Sequence, residues 1–317
     1  MIYDLNGAPI SNVYGMSGNH LSQAYNINGN ELFETLVINT DSSTGTSTGY
    51  SLESDLTGND YVLRFMVEFV PISDTLQSFC YDPDNELFYK FNSSTTVKVY
   101  DSSMDYIESI TLPSSAGHNN DACYYNGNIY FPNHDTTTLY VWNIANNTVS
   151  TISVSGISQP PNGSTRQIDA LCETSRNSGE FYLVCRDVYT NELVHQSDDK
   201  LSVYSYNLAT GNATLMGEYP WDCVYVQGAT LLDGVLYVAC NTQTTGSASN
   251  YTGITVKAIR TDSWTYIDTL TVSGNFEPEG MDTVPIGTGY ELMMGIGKYR
   301  TISEEVRFTA PYSLVEV

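Results

Sequence analysis

Carboxylate and amide side chains recur along this chain, each at or just before a short apolar segment. They are Gln77, Asn120, Asp121, Asp169, Gln227, Glu277 and Glu279. Converging oxygen atoms of this kind bind Ca²⁺, and two carboxyl groups on either side of a sugar linkage can hydrolyse it. A structural alternative is that they only bind water and cap strand ends. The residues predicted to carry any such chemistry, as catalytic carboxylates or as ligands of a Ca²⁺ ion, are Asp121, Asp169 and Glu279.

Aromatic residues suggest ligand binding of a different kind. Exposed Tyr and Trp rings stack on sugar rings, and amide side chains bond the sugar hydroxyls. The residues predicted to bind a ligand are Trp221, Tyr219, Tyr225, Gln227, Tyr251 and His118. His118 also precedes Asp121 closely enough for a base and its orienting acid, although a histidine in a surface loop is the simpler interpretation. Trp142 and Trp264 are predicted to pack in the core.

The elements that must position these residues repeat along the chain. Five units begin with a small residue in a short strand, followed by a tight turn and a strongly apolar strand. They start at Ser78, Asp121, Asp169, Gly228 and Gly280. Two further strands follow in the units, and a spacing of roughly 40–60 residues with four strands is typical of β-propeller blades. The sequence therefore predicts an all-β propeller of five four-stranded antiparallel blades.

The first and last strands of the propeller are predicted to close the ring. The last unit lacks an outer strand, and the segment from Tyr61 to Val70 is predicted to supply it, which removes exposed sheet edges. Six blades are the alternative, if Glu31 to Asn39 and its neighbours form another blade. The propeller is assigned to residues 60–317.

A shorter repeat precedes the propeller. Three stretches of eleven residues begin at Tyr3, Tyr14 and Tyr25, and each has a glycine four positions later. The pattern predicts two very short strands around an Asn-Gly or Ser-Gly turn. Residues 1–39 are therefore predicted to be a stem, and residues 40–59, rich in Ser, Thr and Gly, a linker.

The repeats from Tyr3 to Thr35 resemble the YD-x-x-GN-type N-terminal segments of phage and prophage tail proteins. The resemblance implies a virion protein whose stem contacts other tail proteins and whose head recognises a host receptor. It also implies a location in the virion, or outside the cell after lysis. A cytoplasmic location is the alternative, since the N-terminus shows neither the charge nor the apolar run of a signal peptide.

Composition excludes two classes of partner. The net charge is −24, from 12 basic and 36 acidic residues, and a nucleic-acid-binding protein needs a basic face. The same charge disfavours anionic membranes, and no apolar run is long enough to insert into one. The six cysteines form no zinc-binding pattern and are predicted to be free, buried thiols.

Three functions therefore remain. The first is non-catalytic recognition of a bacterial surface glycan by a tail-type receptor-binding propeller. The second is a propeller enzyme, of glycoside hydrolase, lyase or lactonase-like type, that uses the channel carboxylates. The third is a scaffold for protein interaction. The chain has no linear catalytic motif, which favours binding over catalysis.

Overall fold

The structure is a computed structural model in which every described element is a β-strand. It describes residues 25–27, 30–32, 36–39, 47–50, 52–53, 61–62, 66–72, 76–92, 95–102, 105–113, 119–133, 136–188, 198–221, 223, 225–243, 251–273, 276–286, 289–298, 302–309 and 315–316. Within these residues there is no helix with the length and apolar character needed to cross a membrane.

The strands before the first complete sheet are short. They are β1 (Tyr25–Ile27), β2 (Asn30–Leu32), β3 (Leu36–Asn39), β4 (Ser47–Tyr50), β5 (Leu52–Glu53), β6 (Tyr61–Val62) and β7 (Met66–Ile72). The next two sheets contain β8 (Ser78–Asp82), β9 (Leu87–Phe91), β10 (Thr96–Asp101), β11 (Tyr106–Thr111), β12 (Cys123–Tyr125), β13 (Asn128–Pro132), β14 (Thr138–Asn143) and β15 (Thr148–Ser153).

The remaining strands are longer. They are β16 (Thr165–Glu173), β17 (Glu180–Val188), β18 (Lys200–Asn207), β19 (Asn212–Pro220), β20 (Val226–Leu232), β21 (Val235–Gln243), β22 (Tyr251–Arg260), β23 (Thr265–Ser273), β24 (Phe276–Ile286), β25 (Gly289–Lys298), β26 (Ile302–Thr309) and β27 (Val315–Glu316).

Five antiparallel sheets form the ring. Their strand orders are β8-β9-β10-β11, β12-β13-β14-β15, β16-β17-β18-β19, β20-β21-β22-β23-β5 and β24-β25-β26-β7. The first strand of each sheet contacts the first strand of the next, and β24 contacts β8. These five innermost strands therefore surround the central axis, which confirms the predicted all-β propeller.

The sheets differ in one respect from the prediction. The sequence predicted four strands in each of five blades. Four of the five sheets have four strands. The remaining sheet has a fifth strand because β5 pairs with β23, through Glu53 with Thr271 and Leu52 with Val272. The predicted count of four strands is therefore wrong for this sheet.

N-terminal strands lie in and around the ring. β7 pairs with β26 along its whole length, from Ile72 with Ser303 to Met66 with Thr309. The last sheet is thus built from both ends of the propeller segment. Outside the five sheets, β1 pairs with β2 and β3 pairs with β4. Strands β4 and β5 fall within the segment predicted to be a linker. Residues 1–24 of the predicted stem lie outside the described residues.

Tight turns connect the inner strands to their neighbours. Asn126 and Gly127 have φ angles of 48° and 73°, and Asp233 and Gly234 have 49° and 77°. Two consecutive positive φ angles are characteristic of the type I′ turn, for which Asn-Gly and Asp-Gly are preferred. The predicted hairpins at these two positions are confirmed.

The core lies between adjacent sheets. Trp142 is fully buried with Cys80, Phe91 and Phe131 between the first two sheets, as predicted. Trp264 is partly buried against the core cluster between the third and fourth sheets. All six cysteines are free and buried, so that prediction is also confirmed.

Candidate ligand-binding site

A cavity of about 290 Å³ opens around the axis where the innermost strands end. Its floor contains Ala122, Leu171, Ala229 and Met281, and its walls follow the same strands towards their C-terminal ends. Ligand pockets usually measure about 300–1,000 Å³. The cavity therefore suits one small chemical unit. We call this end of the channel the cavity mouth.

Asp121 connects the innermost strands that form the floor of the cavity. Its Oδ2 accepts the backbone N–H groups of Leu171 and Ala229, both at 3.0 Å, and its Oδ1 accepts that of Met281 at 3.3 Å. Innermost strands pair on one side only, so alternate N–H groups face the axis and need an acceptor. Burial raises the pKa of Asp121, and its backbone hydrogen bonds partly oppose that rise. A single fully buried carboxylate thus joins three other blades.

Asp282 is one of three carboxylate residues that line the cavity, with Glu173 and Asp233. Its Oδ2 accepts the backbone N–H of Tyr81, and its Oδ1 that of Thr283, both at 2.7 Å. Burial raises the pKa of Asp282 to about 7, the two backbone hydrogen bonds lower it, and the charge of Glu173 adds a smaller rise. Near neutral pH this carboxyl can therefore either accept a hydrogen bond from a ligand or donate one.

Three further side chains of the wall have contacts within the protein. The Tyr124 hydroxyl donates to Asp84 Oδ2 at 2.9 Å and accepts the Gly127 N–H at 3.0 Å. Arg176 lines the rim, with its Nη2 atom 3.5 Å from Asp84 Oδ1 and its side chain half exposed. The Tyr81 ring packs on Phe88, with 4.8 Å between ring centroids. These side chains are oriented before any ligand enters.

Two cysteines also line the cavity. Burial raises the pKa of both Cys123 and Cys172, and nearby carboxylates add to the rise. The nucleophilic form of cysteine is the thiolate. Both groups therefore stay protonated at neutral pH and behave as small wall residues.

The raised pKa of Asp282 predicts a pH-dependent stability. Between its unfolded pKa of about 4 and its folded pKa of about 7, the folded state binds more protons. The contribution is complete below about pH 4 and is lost as the pH rises to 7. We expect the wild type to lose about 2 kcal/mol more unfolding free energy from pH 5 to pH 8 than Asp282→Asn does.

Urea unfolding of both proteins at the two pH values measures this difference. Asp262→Asn is the matched control, because Asp262 is 70% exposed and should leave the pH dependence unchanged. Equal losses in the wild type and Asp282→Asn would contradict the assignment.

The opposite mouth of the channel is lined by β-bulges. The pairing register shifts between Ile168 and Ala170, between Val226 and Gly228, and between Pro278 and Met281. Asp169, Gln227 and Glu279 lie at these irregularities. Bulges redirect side chains and are frequent beside functional sites. Three residues that the sequence singled out thus share one structural feature.

Glu277 and Glu279 form the acidic part of this mouth. Glu277 Oε1 accepts hydrogen bonds from Gln227 Nε2 at 2.9 Å and from Asn241 Nδ2 at 3.3 Å. Glu279 Oε1 accepts Gln77 Nε2 at 3.4 Å. Burial raises the pKa of Glu279, and the charge of Glu277 and a hydrogen bond with it raise it further.

Asp169 is part of a separate ionic group. Arg186 Nε lies 2.5 Å from Asp169 Oδ2, and Gln167 Nε2 donates to Oδ1 at 2.9 Å. The side chains of Arg186 and Asp169 are 0% and 1% exposed. The guanidinium carbon of Arg186 lies 5.0 Å from the centroid of the Tyr225 ring, within cation–π range.

The structure does not bring Asp121, Asp169 and Glu279 together as one set. Asp121 accepts backbone N–H groups, Asp169 pairs with Arg186, and Glu279 contacts Glu277. No group of three or more His, Cys, Asp or Glu among the described residues is placed to hold a metal.

The predicted ligand-binding aromatics are mostly internal. Trp221 and Tyr219 are 7% and 8% exposed and belong to the core between the third and fourth sheets, so the structure does not place Trp221 on an open surface. The Tyr219 hydroxyl donates to the Trp264 carbonyl at 3.0 Å. Tyr225 and Gln227 lie at the opposite mouth. The side chain of Tyr251 and all of His118 lie outside the described residues.

Sequence reasoning missed the cavity residues Asp282, Glu173 and Arg176. Asp282 follows Glu277 and Glu279 closely in sequence, and only those two glutamates were among the predicted channel residues. Its partner Tyr81 is 201 positions away, so no local pattern joins the two. The signal that was present is positional, because Asp282, Glu173 and Tyr81 all lie in or near the C-terminal halves of innermost strands.

No protein-family model matches the chain, and no curated protein matches it. Among solved structures it is similar to Kuenenia stuttgartiensis hydrazine synthase, with a TM-score of 0.41 and 11% identity over 71% of this chain and 57% of that chain. The similarity thus spans little more than half of the hydrazine synthase chain. It is also similar to a chain of the nidogen/laminin complex, with a TM-score of 0.44 and 7% identity over 75% of this chain and 88% of that chain. Structural similarity with TM-scores and identities this low supports no conclusion about function.

Proposed function

We propose that this protein is the recognition head of a phage-tail-type protein and binds a bacterial surface glycan in the axial cavity without cleaving it. The observation that carries the proposal is the wall of the cavity. There the carboxyl group of Asp282, which accepts the backbone N–H of Tyr81, lines the same small cavity as Tyr81, Tyr124 and the cationic rim residue Arg176. These groups supply small exposed parts of two aromatic side chains, Tyr81 at 6% and Tyr124 at 8% exposure, and hydrogen-bonding atoms within one small volume.

A sugar residue matches these groups chemically. Its hydroxyls donate to a carboxylate and accept from a guanidinium, and its C–H faces pack on aromatic rings. The volume of about 290 Å³ suits one residue at the end or branch of a polymer. A long chain would have to extend outwards over the rim.

The N-terminal repeats support the assignment to a tail. Their resemblance to tail-protein segments, from Tyr3 to Thr35, suggests that the stem contacts other tail proteins while the propeller faces the host. A head on a virion meets many copies of one glycan, so weak single-site binding becomes strong through multivalency.

A binding and release assay tests the proposal. The full chain is incubated with a panel of bacterial surface polysaccharides and with intact bacteria, and both retained protein and released sugar are measured. We expect saturable retention without release of sugar. Arg176→Ala should weaken binding about tenfold, or about 1.4 kcal/mol, because a hydrogen bond to a charged group is lost.

Arg260→Ala is the matched control. Arg260, like Arg176, is a partly exposed arginine with a long contact to an aspartate, at 3.8 Å, but it does not line the cavity. Its replacement should leave binding unchanged, and both variants should keep the melting temperature of the wild type. Release of sugar, or equal binding by the two variants, would overturn the proposal.

A further inference from the structure

Five oxygen-bearing side chains meet at the mouth opposite the cavity. Glu277 contacts the amide nitrogens of Gln227 and Asn241, and Glu279 contacts that of Gln77. The two carboxyl groups are themselves hydrogen-bonded. The set therefore connects β20, β21 and β24 with the start of β8.

The amide oxygens of this set are buried without hydrogen-bond partners. They are Oε1 of Gln77, Oε1 of Gln227 and Oδ1 of Asn241. Asn241 is fully buried and Gln227 is 6% exposed. In both residues the amide nitrogen contacts Glu277, so the oxygen bonded to the same carbon lies near that carboxyl group. A buried acceptor without a partner costs about 1–3 kcal/mol, and three of them in residues that contact the same two glutamates indicate a missing hydrogen-bond donor or cation.

The charge of the set also favours a bound cation. Glu279 is 4% exposed, and Glu277 lies two residues before it on the same strand, β24. The buried carboxyl group of Glu279, the partly buried one of Glu277 and the three amide oxygens make a set of hard oxygen atoms. Ca²⁺ binds six to eight such atoms in flexible geometry, from carboxylates, amides and water, whereas Mg²⁺ requires a stricter octahedron.

We propose that Glu277, Glu279 and the amide oxygens of Gln77, Gln227 and Asn241 bind one Ca²⁺ ion. Only Glu279 is shared with the ligand set predicted from the sequence. The ion joins innermost strands of neighbouring blades, including β24 and the residue before β8, where the ring closes. It is separated from the sugar cavity by Asp121, and the inference does not depend on the glycan.

Calorimetric titration of the EDTA-treated full chain with CaCl₂ tests the site. We expect one ion per chain and a melting temperature that rises with Ca²⁺ concentration, since binding to the folded state alone stabilises it. Glu277→Gln should weaken Ca²⁺ binding at least tenfold. Glu173→Gln, which alters a partly buried glutamate at the cavity mouth, should leave it unchanged.

Gln227→Glu provides a second readout that does not rely on loss. It adds a third carboxylate to the set, so this variant should be less stable than the wild type in EDTA and gain more melting temperature from Ca²⁺. Three results would overturn the inference: no saturable Ca²⁺ binding by the wild type, equal binding by Glu277→Gln and Glu173→Gln, or equal affinity for Mg²⁺.

Discussion

Asp121→Ala is expected to lower the unfolding free energy by roughly 4 kcal/mol or more, because three buried N–H groups would lose their acceptor at once. The donors are those of Leu171, Ala229 and Met281, at 3.0, 3.0 and 3.3 Å. They belong to three different blades. Each buried donor left without a partner costs about 1–3 kcal/mol, and a cavity replaces the lost carboxyl group.

Urea unfolding measures the loss, with Asp121→Asn and Asp262→Ala as comparisons. Asn keeps one oxygen acceptor but points an amide N–H at backbone donors, so its loss should be large and still smaller than that of Ala. Asp262 lies on the surface, 70% exposed, and its replacement should change stability by less than about 0.5 kcal/mol. If Asp121→Ala were as stable as Asp262→Ala, the carboxylate would have no structural role.

This role separates the two mouths of the channel. Met281 donates to Asp121, Glu279 lies two residues before it at one mouth, and Asp282 follows it at the other. The Asp121 carboxylate therefore contacts β24 between the residues of the two mouths. A ligand that occupied the whole length of the channel would displace the Asp121 carboxylate and break its three hydrogen bonds.

The fold was predictable because its causes are local. Small residues recur in the innermost strands, and at Gly228 and Gly280 the neighbouring backbones approach too closely for a larger residue. At Gly228 an added Cβ would lie 2.6 Å from the backbone nitrogen of Met281. The Asn126-Gly127 and Asp233-Gly234 turns are equally local, because their φ angles demand those residue types.

The sites were less predictable because their causes are distant in sequence. The Asp282 carboxylate contacts Tyr81, and Asp121 contacts Met281, across 201 and 160 positions. Trp221 was predicted to bind a ligand but is buried in the core, because polar neighbours in sequence do not reveal such burial. The pairing of β5 with β23 rests on two residue pairs and leaves no pattern to detect.

Asp169 and Arg186 supply the second large effect expected in this protein. Both side chains are buried, at 1% and 0% exposure, and Arg186 Nε lies 2.5 Å from Asp169 Oδ2. Removing one member of a buried pair leaves an uncompensated charge in a region of low dielectric, which costs about 3–5 kcal/mol. Asp169→Leu should therefore lower the unfolding free energy by about that amount, and Arg186→Met by a similar one.

The double variant Asp169→Leu with Arg186→Met separates charge from packing. Replacing a whole buried ion pair by apolar residues of similar volume is often neutral or stabilising, so the double variant should be more stable than either single one. Urea unfolding of all four proteins gives the interaction free energy. Additive losses would mean that Asp169 and Arg186 act independently. A strong interaction instead implies that Arg186 neutralises the Asp169 carboxylate, which leaves Glu277 and Glu279 as the acidic pair at this mouth.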